Sequence, residues 1–402
     1  MSALNEKLLP EVLSGLEAMT AIRRDLHAHP ELGMCEVRTA KIAADALRAM
    51  GCDEVVEGIG KTGVAAVIRG GKRNPGHLVT IALRADMDAL PLEEHTGHPW
   101  ASVVENRMHA CGHDGHVAGV LLAAHALVKR RENLAGDIVL IIQPGEEGYA
   151  GAREMIEDGL FERFPVDEIY GVHCAGELPL GVIGFTKGAQ CAAADHFRIT
   201  VKGVGGHGAR PHKTVDPVVA SGILIGALQT IVSRSVDPMR PAVVTIASIH
   251  GGDPQGVSVV PAEVKLAGTT RCAYPEERDL IERRMGEICA GVAATTGTEI
   301  DFQYVRLYPP LVNHDEQLEF ARQVALEAYG EERVRSHAAS MGAEDFAFFL
   351  EKRPGCFPRV GIADETHTAN HHHPNFDYND LALGPTADFF VRLVEKRLAA
   401  LQ

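Results

Sequence analysis

The chain has 402 residues, 46% hydrophobic and 23% charged, a globular composition in a chain long enough for more than one core. A formal net charge of -15 argues against a nucleic-acid partner, whose phosphates reward basic patches. Read along the sequence, no apolar run reaches the roughly 18–20 residues of a bilayer span. The N-terminal residues Met1 to Lys7 lack the basic start and apolar middle of a leader peptide. A cytoplasmic chain with no membrane role is therefore expected. The eight cysteines are scattered without a Cys-x-x-Cys pair, which predicts reduced, mostly buried thiols.

In chain order, helical periodicity runs from about 11 to 50, interrupted around Pro30, with Ile22, Leu26, Ala40, Ala43, Ala44 and Leu47 on the apolar face. Residues 64–68 and 78–83 read as strands separated by a turn-rich segment. The second is followed by Arg84-Ala85-Asp86-Met87-Asp88, at the strand end where open α/β sheets place their sites. A helix is expected from Val117 to Arg130, and the continuous apolar run 138–142 predicts a buried strand ending at Gln143-Pro144-Gly145-Glu146-Glu147. Residues 168–173 read as a short strand that ends on His173.

The character changes from about 187 to 305. Alternation at 196–202, a helix from about 217 to 233, strands at 242–247 and 262–270, a helix from about 276 to 295 and a strand at 299–305 make the pattern of an α+β sandwich. The expected organisation is an α/β chain in three pieces. A first domain (1–187) is interrupted by an inserted α+β lid or dimerisation domain (188–305) and completed by 306–402, which closes on a helix from about 381 to 401.

The densest chemistry lies in Met108-His109-Ala110-Cys111-Gly112-His113-Asp114-Gly115-His116, one thiol and three imidazoles in nine residues. Cys111 and His113, two apart, do not share a helix face, so a loop or strand end is expected, with Gly112 and Gly115 allowing a sharp bend. Thiolate and imidazole suit borderline transition metals. The adjacent Glu146 and Glu147 are expected to point opposite ways, one holding metal and the other moving a proton. His173 alone would be a weak candidate; its place at a strand end beside other such ends strengthens it. The triple histidine His371-His372-His373 is followed by 29 further residues and belongs to the native chain. Gly203-Val204-Gly205-Gly206-His207-Gly208 matches a dinucleotide fingerprint in letters, but Ala209-Arg210-Pro211-His212 follows in place of an apolar helix. His207 there reads as a polar group offered to a substrate.

These residues carry a resemblance. Arg23 to His27 with Pro30-Glu31-Leu32, Arg84 to Pro91, Met108 to His116, Gln143 to Glu147, Gly205 to His212 and Gly342 to Phe346 together resemble the amidohydrolase branch of the di-metal aminoacylase and carboxypeptidase superfamily. That branch includes hippurate hydrolases, N-acyl-amino-acid amidohydrolases and indole-acetyl-amino-acid hydrolases. The resemblance covers essentially the whole chain. It implies a mixed-sheet, zinc-exopeptidase-like catalytic domain and two divalent ions (manganese, zinc, cobalt or nickel) on Cys111, His113, Glu147, His173 and one C-terminal histidine. The family ligand stands two residues before a proline, which gives His372, with His373 as the neighbouring alternative. It further implies Glu146 as general base, His207 polarising the scissile carbonyl, Arg271 facing the substrate carboxylate, and a homodimer or homotetramer. The substrate would be an N-acyl amino acid or a dipeptide, and the reaction amide hydrolysis by a metal-activated water. Two positions depart from the family pattern: the 257–261 stretch lacks an asparagine before its proline motif, and Cys174 stands where an asparagine is common. A metallo-dipeptidase or aminopeptidase with the same site, and a catalytically silent binding protein, are the rival readings.

Overall fold

A computed structural model describes residues 5–402. Residues 1–4, on which part of the leader-peptide expectation falls, lie outside the described residues. The chain divides into two compact units. The first takes the chain up to Gly188 together with Asn313–Ala338 and Phe348–Gln402; the second takes Ala189–Val312 and Ala339–Ala347. The class is the mixed α/β expected.

The first unit is organised by a six-stranded sheet in the order Glu54–Ile59, Gly63–Ile68, Asp137–Gln143, Thr80–Asp86, Glu168–Gly171, Gly355–Cys356. Thr80–Asp86 runs parallel to both Asp137–Gln143 and Glu168–Gly171, while the first two strands are antiparallel. Gly63–Ile68, Thr80–Asp86 and Asp137–Gln143 are buried at every position, which is why they read as continuous apolar runs. The helix His113–Lys129 packs on this sheet and against the helices Leu16–Ala28 and Leu383–Ala400. Leu121, Leu122, Phe389, Phe390 and Val394 belong to the shared core. A four-stranded sheet, Val334–Ser336, Ile183–Phe185, Arg359–Ala363 and His173–Pro179, completes the unit.

The expected strand 168–173 is two strands. Glu168–Gly171 belongs to the large sheet and His173–Pro179 opens a strand of the small one, so His173 begins a strand instead of ending one. The apolar run was continuous across the transfer, and nothing in its composition marked the break at Val172.

The second unit is an antiparallel sheet in the order Ala242–Gly251, Glu263–Cys272, Ala193–Lys202, Glu299–Tyr308. Along Ala193–Lys202, Phe197, Ile199 and Val201 are buried while His196, Arg198 and Lys202 are exposed, the alternation of a one-sided sheet. The buried side meets Leu224 and Leu228 of the helix Pro217–Thr230 and Ile281 and Met285 of the helix Pro275–Thr296. One sequence expectation needs correction. The helix Pro217–Thr230 is prolonged by Ile231–Ser235, and this 19-residue stretch, with an 18-residue window of mean hydropathy 1.4, is long and apolar enough by length and composition to span a bilayer. Ser221, Gln229 and Thr230 interrupt it as a linear run, whereas the backbone makes it continuous. Its inner side, Ala220, Leu224, Leu228 and Ile231, is packed in the second unit's core.

Asp195 anchors this unit. Its buried carboxylate accepts from Arg278 Nε at 2.8 Å and Nη2 at 2.6 Å, from the Tyr304 hydroxyl at 2.9 Å and from the Leu307 amide at 2.9 Å. Removing one partner of such a pair leaves a buried charge uncompensated. Asp195→Ala is expected to cost about 3–5 kcal/mol in urea denaturation followed by circular dichroism; a loss below about 1 kcal/mol would show that the pair does not hold the unit together.

Candidate metal centre

Loops at the C-terminal ends of the first unit's parallel strands bring the polar residues together. Thr80–Asp86 delivers Asp86 and, just beyond it, Asp88; Asp137–Gln143 leads through Pro144 and Gly145 to Glu146 and Glu147. The loop before the helix His113–Lys129 delivers Cys111, and Gly112, with φ of 84°, turns the chain into that helix. His113 is the helix's first residue, so the expectation that it sits with Cys111 in a loop or strand end holds only for Cys111. A side chain at Gly112 would reach within 2.7 Å of Cys174 Sγ, so glycine is demanded by space as well as by φ.

Ligand-type atoms converge in overlapping groups, each within 4.8 Å: Cys111 with His113 and His173; Cys111 with Glu147 and His372; His113 with Glu146 and Glu147. The two glutamates thus converge instead of pointing apart. They stand on a kinked turn bracketed by Gly145 at φ 56° and Gly148 at φ 90°, with Glu147 itself non-helical. The strand geometry behind the opposite-facing expectation does not apply there.

Hydrogen bonds set the tautomers. The His173 Nδ1–H donates to the Cys174 carbonyl at 2.7 Å, leaving Nε2 bare, 3.5 Å from Cys111 Sγ. The His113 Nδ1–H donates to the Asp88 carbonyl at 3.0 Å and to Asp88 Oδ1 at 3.1 Å, while its buried Nε2 has no hydrogen-bond partner among the described residues. Asp88 Oδ2 accepts the Glu147 amide at 2.9 Å. One carboxylate therefore orients His113 and the Glu147 turn together. Among the three consecutive histidines, His372 presents Nε2 to Glu147 Oε1 at 3.0 Å. It does so from a left-handed backbone, φ 62°, pinned by its amide donating to the Ala110 carbonyl at 2.8 Å. His371 instead faces Cys174 Sγ at 3.4 Å, and His373 accepts the Asn375 amide at 3.1 Å.

The electrostatics of this cluster fit a cation. Burial, followed by the Glu147 carboxylate, Cys174 and Glu146, pushes the Cys111 thiol well above its ordinary range. Burial alone would lower His113, but the carboxylates of Asp86, Asp88 and Glu147 outweigh it and raise the imidazole to about 10. Burial, then Arg359 and neighbouring imidazoles, hold His173 well below its usual value, a neutral donor. A thiol whose ionisation is opposed, an imidazole that draws a proton, and a buried His113 Nε2 with no hydrogen-bond partner, 3.6 Å from Asp86 Oδ2, fit divalent ions in that space.

Asp86 and His116 carry no assigned role in the sequence reading. The His116 Nδ1–H donates to Asp86 Oδ1 at 2.6 Å and its Nε2 accepts the Cys174 amide at 2.9 Å, so both nitrogens are consumed. Arg84 reaches Asp86 Oδ2 at 2.8 Å. Beneath them, buried Arg23 joins Asp114 at 2.9 Å to Asp377 at 2.9 Å, and the His27 Nδ1 lies 2.8 Å from Asp114. The position of Asp86 and Asp88 at a strand end was the one available signal.

His207 and Arg271 belong to the second unit. His207 lies on a two-residue strand, Gly206–His207, paired with Val259–Val260, and its Nδ1 accepts the Ala209 amide at 3.1 Å. The short turn Pro211–Lys213 follows the glycine-rich loop, and no helix opens there as a dinucleotide site would require. Arg271 is on Glu263–Cys272, where its Nη1 bonds the Thr269 hydroxyl and the Thr270 carbonyl.

Comparison with known proteins converges on one family. The model for peptidase family M20/M25/M40 matches residues 82–396. The chain is 40% identical over 395 residues to the hippurate hydrolase of Campylobacter jejuni, covering 97% of this chain and 99% of that protein. It is 38% identical over 376 residues to an N-acetylcysteine deacetylase of Bacillus subtilis, covering 92% and 94% respectively. The crystal structure of the Bacillus subtilis YXEP protein, described as a dinuclear metal binding peptidase of the M20 family, superposes with a TM-score of 0.83 at 34% identity. It covers 96% of this chain and 99% of its own.

Asp88 supplies a direct check on how the cluster is oriented. Asp88→Ala is expected to weaken divalent-ion binding about 10- to 100-fold in competition with a chromogenic chelator. Unchanged affinity would mean that Asp88 does not position His113 and Glu147.

Proposed function

The chain belongs to peptidase family M20/M25/M40, and on that premise we propose that it is a metal-dependent amidohydrolase. It cleaves the amide bond of N-acyl amino acids to a carboxylic acid and a free amino acid. The observation that carries this reading is the convergence of Cys111, His113, Glu147, His173 and His372 around a space that Glu146 also borders. Two divalent ions held by those five residues would bring the pKa of a water toward neutrality and polarise the scissile carbonyl. Glu146 is the proton carrier: it takes the attacking water's proton and returns it to the departing amine. Asp88 holds His113 and the Glu147 turn in place. His207 donates to the carbonyl oxygen as negative charge builds there, and Arg271 receives the amino-acid carboxylate. The names of the relatives, a hydrolase of hippurate and a deacetylase of N-acetylcysteine, support an N-acyl amino acid over a free dipeptide.

The same reading extends to a cytoplasmic homodimer or homotetramer. All eight cysteines are free, as a reducing compartment keeps them. In the second unit, Val218, Val219 and Ile223 are exposed on the helix Pro217–Thr230, which packs against the edge strand Ala242–Gly251. A second copy of the chain would cover both features.

Glu146→Ala is expected to lower kcat by about 10²- to 10⁴-fold on N-benzoyl and N-acetyl amino acids with bound metal unchanged, as amine release and elemental analysis would record. Residual turnover within about a factor of ten of wild type would remove Glu146 from the proton path. Faster release from dipeptides than from acyl amino acids would move the activity to a peptidase.

A further inference from the structure

A second cluster of imidazole and carboxylate groups lies in the first unit, in a cavity of about 880 Å³ lined by His98, Trp100, His367 and Asp377 among others. It shares no side chain with the groups around Cys111. Two imidazoles aim at one carboxylate oxygen: His98 Nε2 lies 3.2 Å and His367 Nε2 3.3 Å from Asp377 Oδ2. Both separations exceed the roughly 2.7–2.9 Å of a charge-assisted hydrogen bond. They match the edge of about 3.3–3.4 Å between ligand atoms on a tetrahedron with metal bonds of about 2.0–2.1 Å. The Cys111 Sγ to His173 Nε2 separation of 3.5 Å fits the same construction with one longer metal–sulfur bond.

The surroundings are those of ligands held in position. His367 Nδ1 is 2.7 Å from Asp364 Oδ1, which directs Nε2 toward Asp377. Asp364 Oδ2 in turn accepts Asn379 Nδ2 at 2.7 Å. Asp377 Oδ1 is occupied by Arg23 Nη2 at 2.9 Å, so Oδ2 alone is left for the imidazoles. His98 stacks on Trp100 with centroids 4.9 Å apart and planes 8° from parallel, and the Arg24 guanidinium sits 3.7 Å over the Trp100 ring. A carboxylate behind one imidazole and an arginine behind the carboxylate form the outer support that metal ligands characteristically have. Burial works against the Asp377 charge, but the neighbouring His367 imidazole and the Arg23 guanidinium keep it ionised, at about 2. His98 and His367 are 37% and 21% exposed as side chains, which leaves an entry path and a coordination position open to the cavity.

We propose that His98, His367 and Asp377 form a separate binding site for one borderline divalent ion such as zinc, completed by water from the cavity. Two nitrogens and one carboxylate oxygen suit zinc better than magnesium or calcium, which prefer all-oxygen shells. The ion would clasp the segment carrying His98 and Trp100 to the loop that runs from Asp364 to Asp377 and carries His372.

The test uses the full chain stripped with a chelator, dialysed against buffered zinc and counted by elemental analysis, in wild type, His98→Leu and Cys111→Ala. Wild type should hold one zinc ion per chain more than His98→Leu, and Cys111→Ala should retain the His98-dependent ion. With cobalt in place of zinc, the His98-dependent ion should show tetrahedral visible bands without sulfur-to-metal charge-transfer absorption. Equal zinc content in wild type and His98→Leu, with both folded by circular dichroism, would overturn the site. So would a His98-dependent cobalt spectrum carrying the sulfur band. Loss of metal confined to Cys111→Ala would leave the Cys111 centre standing and this one refuted, so the two assignments fail separately.

Discussion

Buried negative charge is the constraint on which the rest of this structure depends. Asp86, Asp88, Asp114 and Glu146 all lie buried within a short stretch of the fold, and Glu147 is close to it. Isolated carboxylates in such a place would take up protons. Arg84 compensates Asp86, and Arg23 and His27 compensate Asp114, so strongly that both carboxylates stay ionised well below their ordinary range despite burial. On the other side, Cys111, Glu147 and His372 bring a thiol, a carboxylate and an imidazole within 4.8 Å of one another. That donor set fits divalent cations.

The architecture follows from this need. Parallel strands carry their loops to one end of a sheet, and two of those loops bring the acids there while the helix His113–Lys129 and the strand from His173 bring the imidazoles. Asp88 ties two of the pieces, His113 and the Glu147 turn, into one unit. Arg23 ties the helix that holds Asp114 to the C-terminal loop that holds Asp377, so the same loop that presents His372 is anchored to the helix that presents His113. Two of the left-handed non-glycine residues, His372 and Ala150, stand on these loops.

Much of this was legible in the residues. The run from Met108 to His116, the strand ends at Asp86 and Gln143, and the alternation along 196–202 each carry a local physical signal, and the motif set resembles its family along the whole chain. What was not legible depends on pairing between distant segments. The convergence of Glu146 with Glu147 rests on glycine φ values that the letters permit but do not specify. The break between Glu168–Gly171 and His173–Pro179 is a change of sheet, invisible to a continuous apolar run. The consumption of His116 by Asp86 and the Cys174 amide makes it a structural residue although its letter is that of a ligand.

The most direct test of the central claim is anomalous X-ray diffraction at the manganese edge on crystals of the full chain grown with manganese. Two anomalous peaks are expected within bonding distance of Cys111, His113, Glu147, His173 and His372, with Glu146 bordering the space between ions and solvent. Manganese bound elsewhere, with no peak among those five side chains, would contradict the assignment of this cluster as the metal centre.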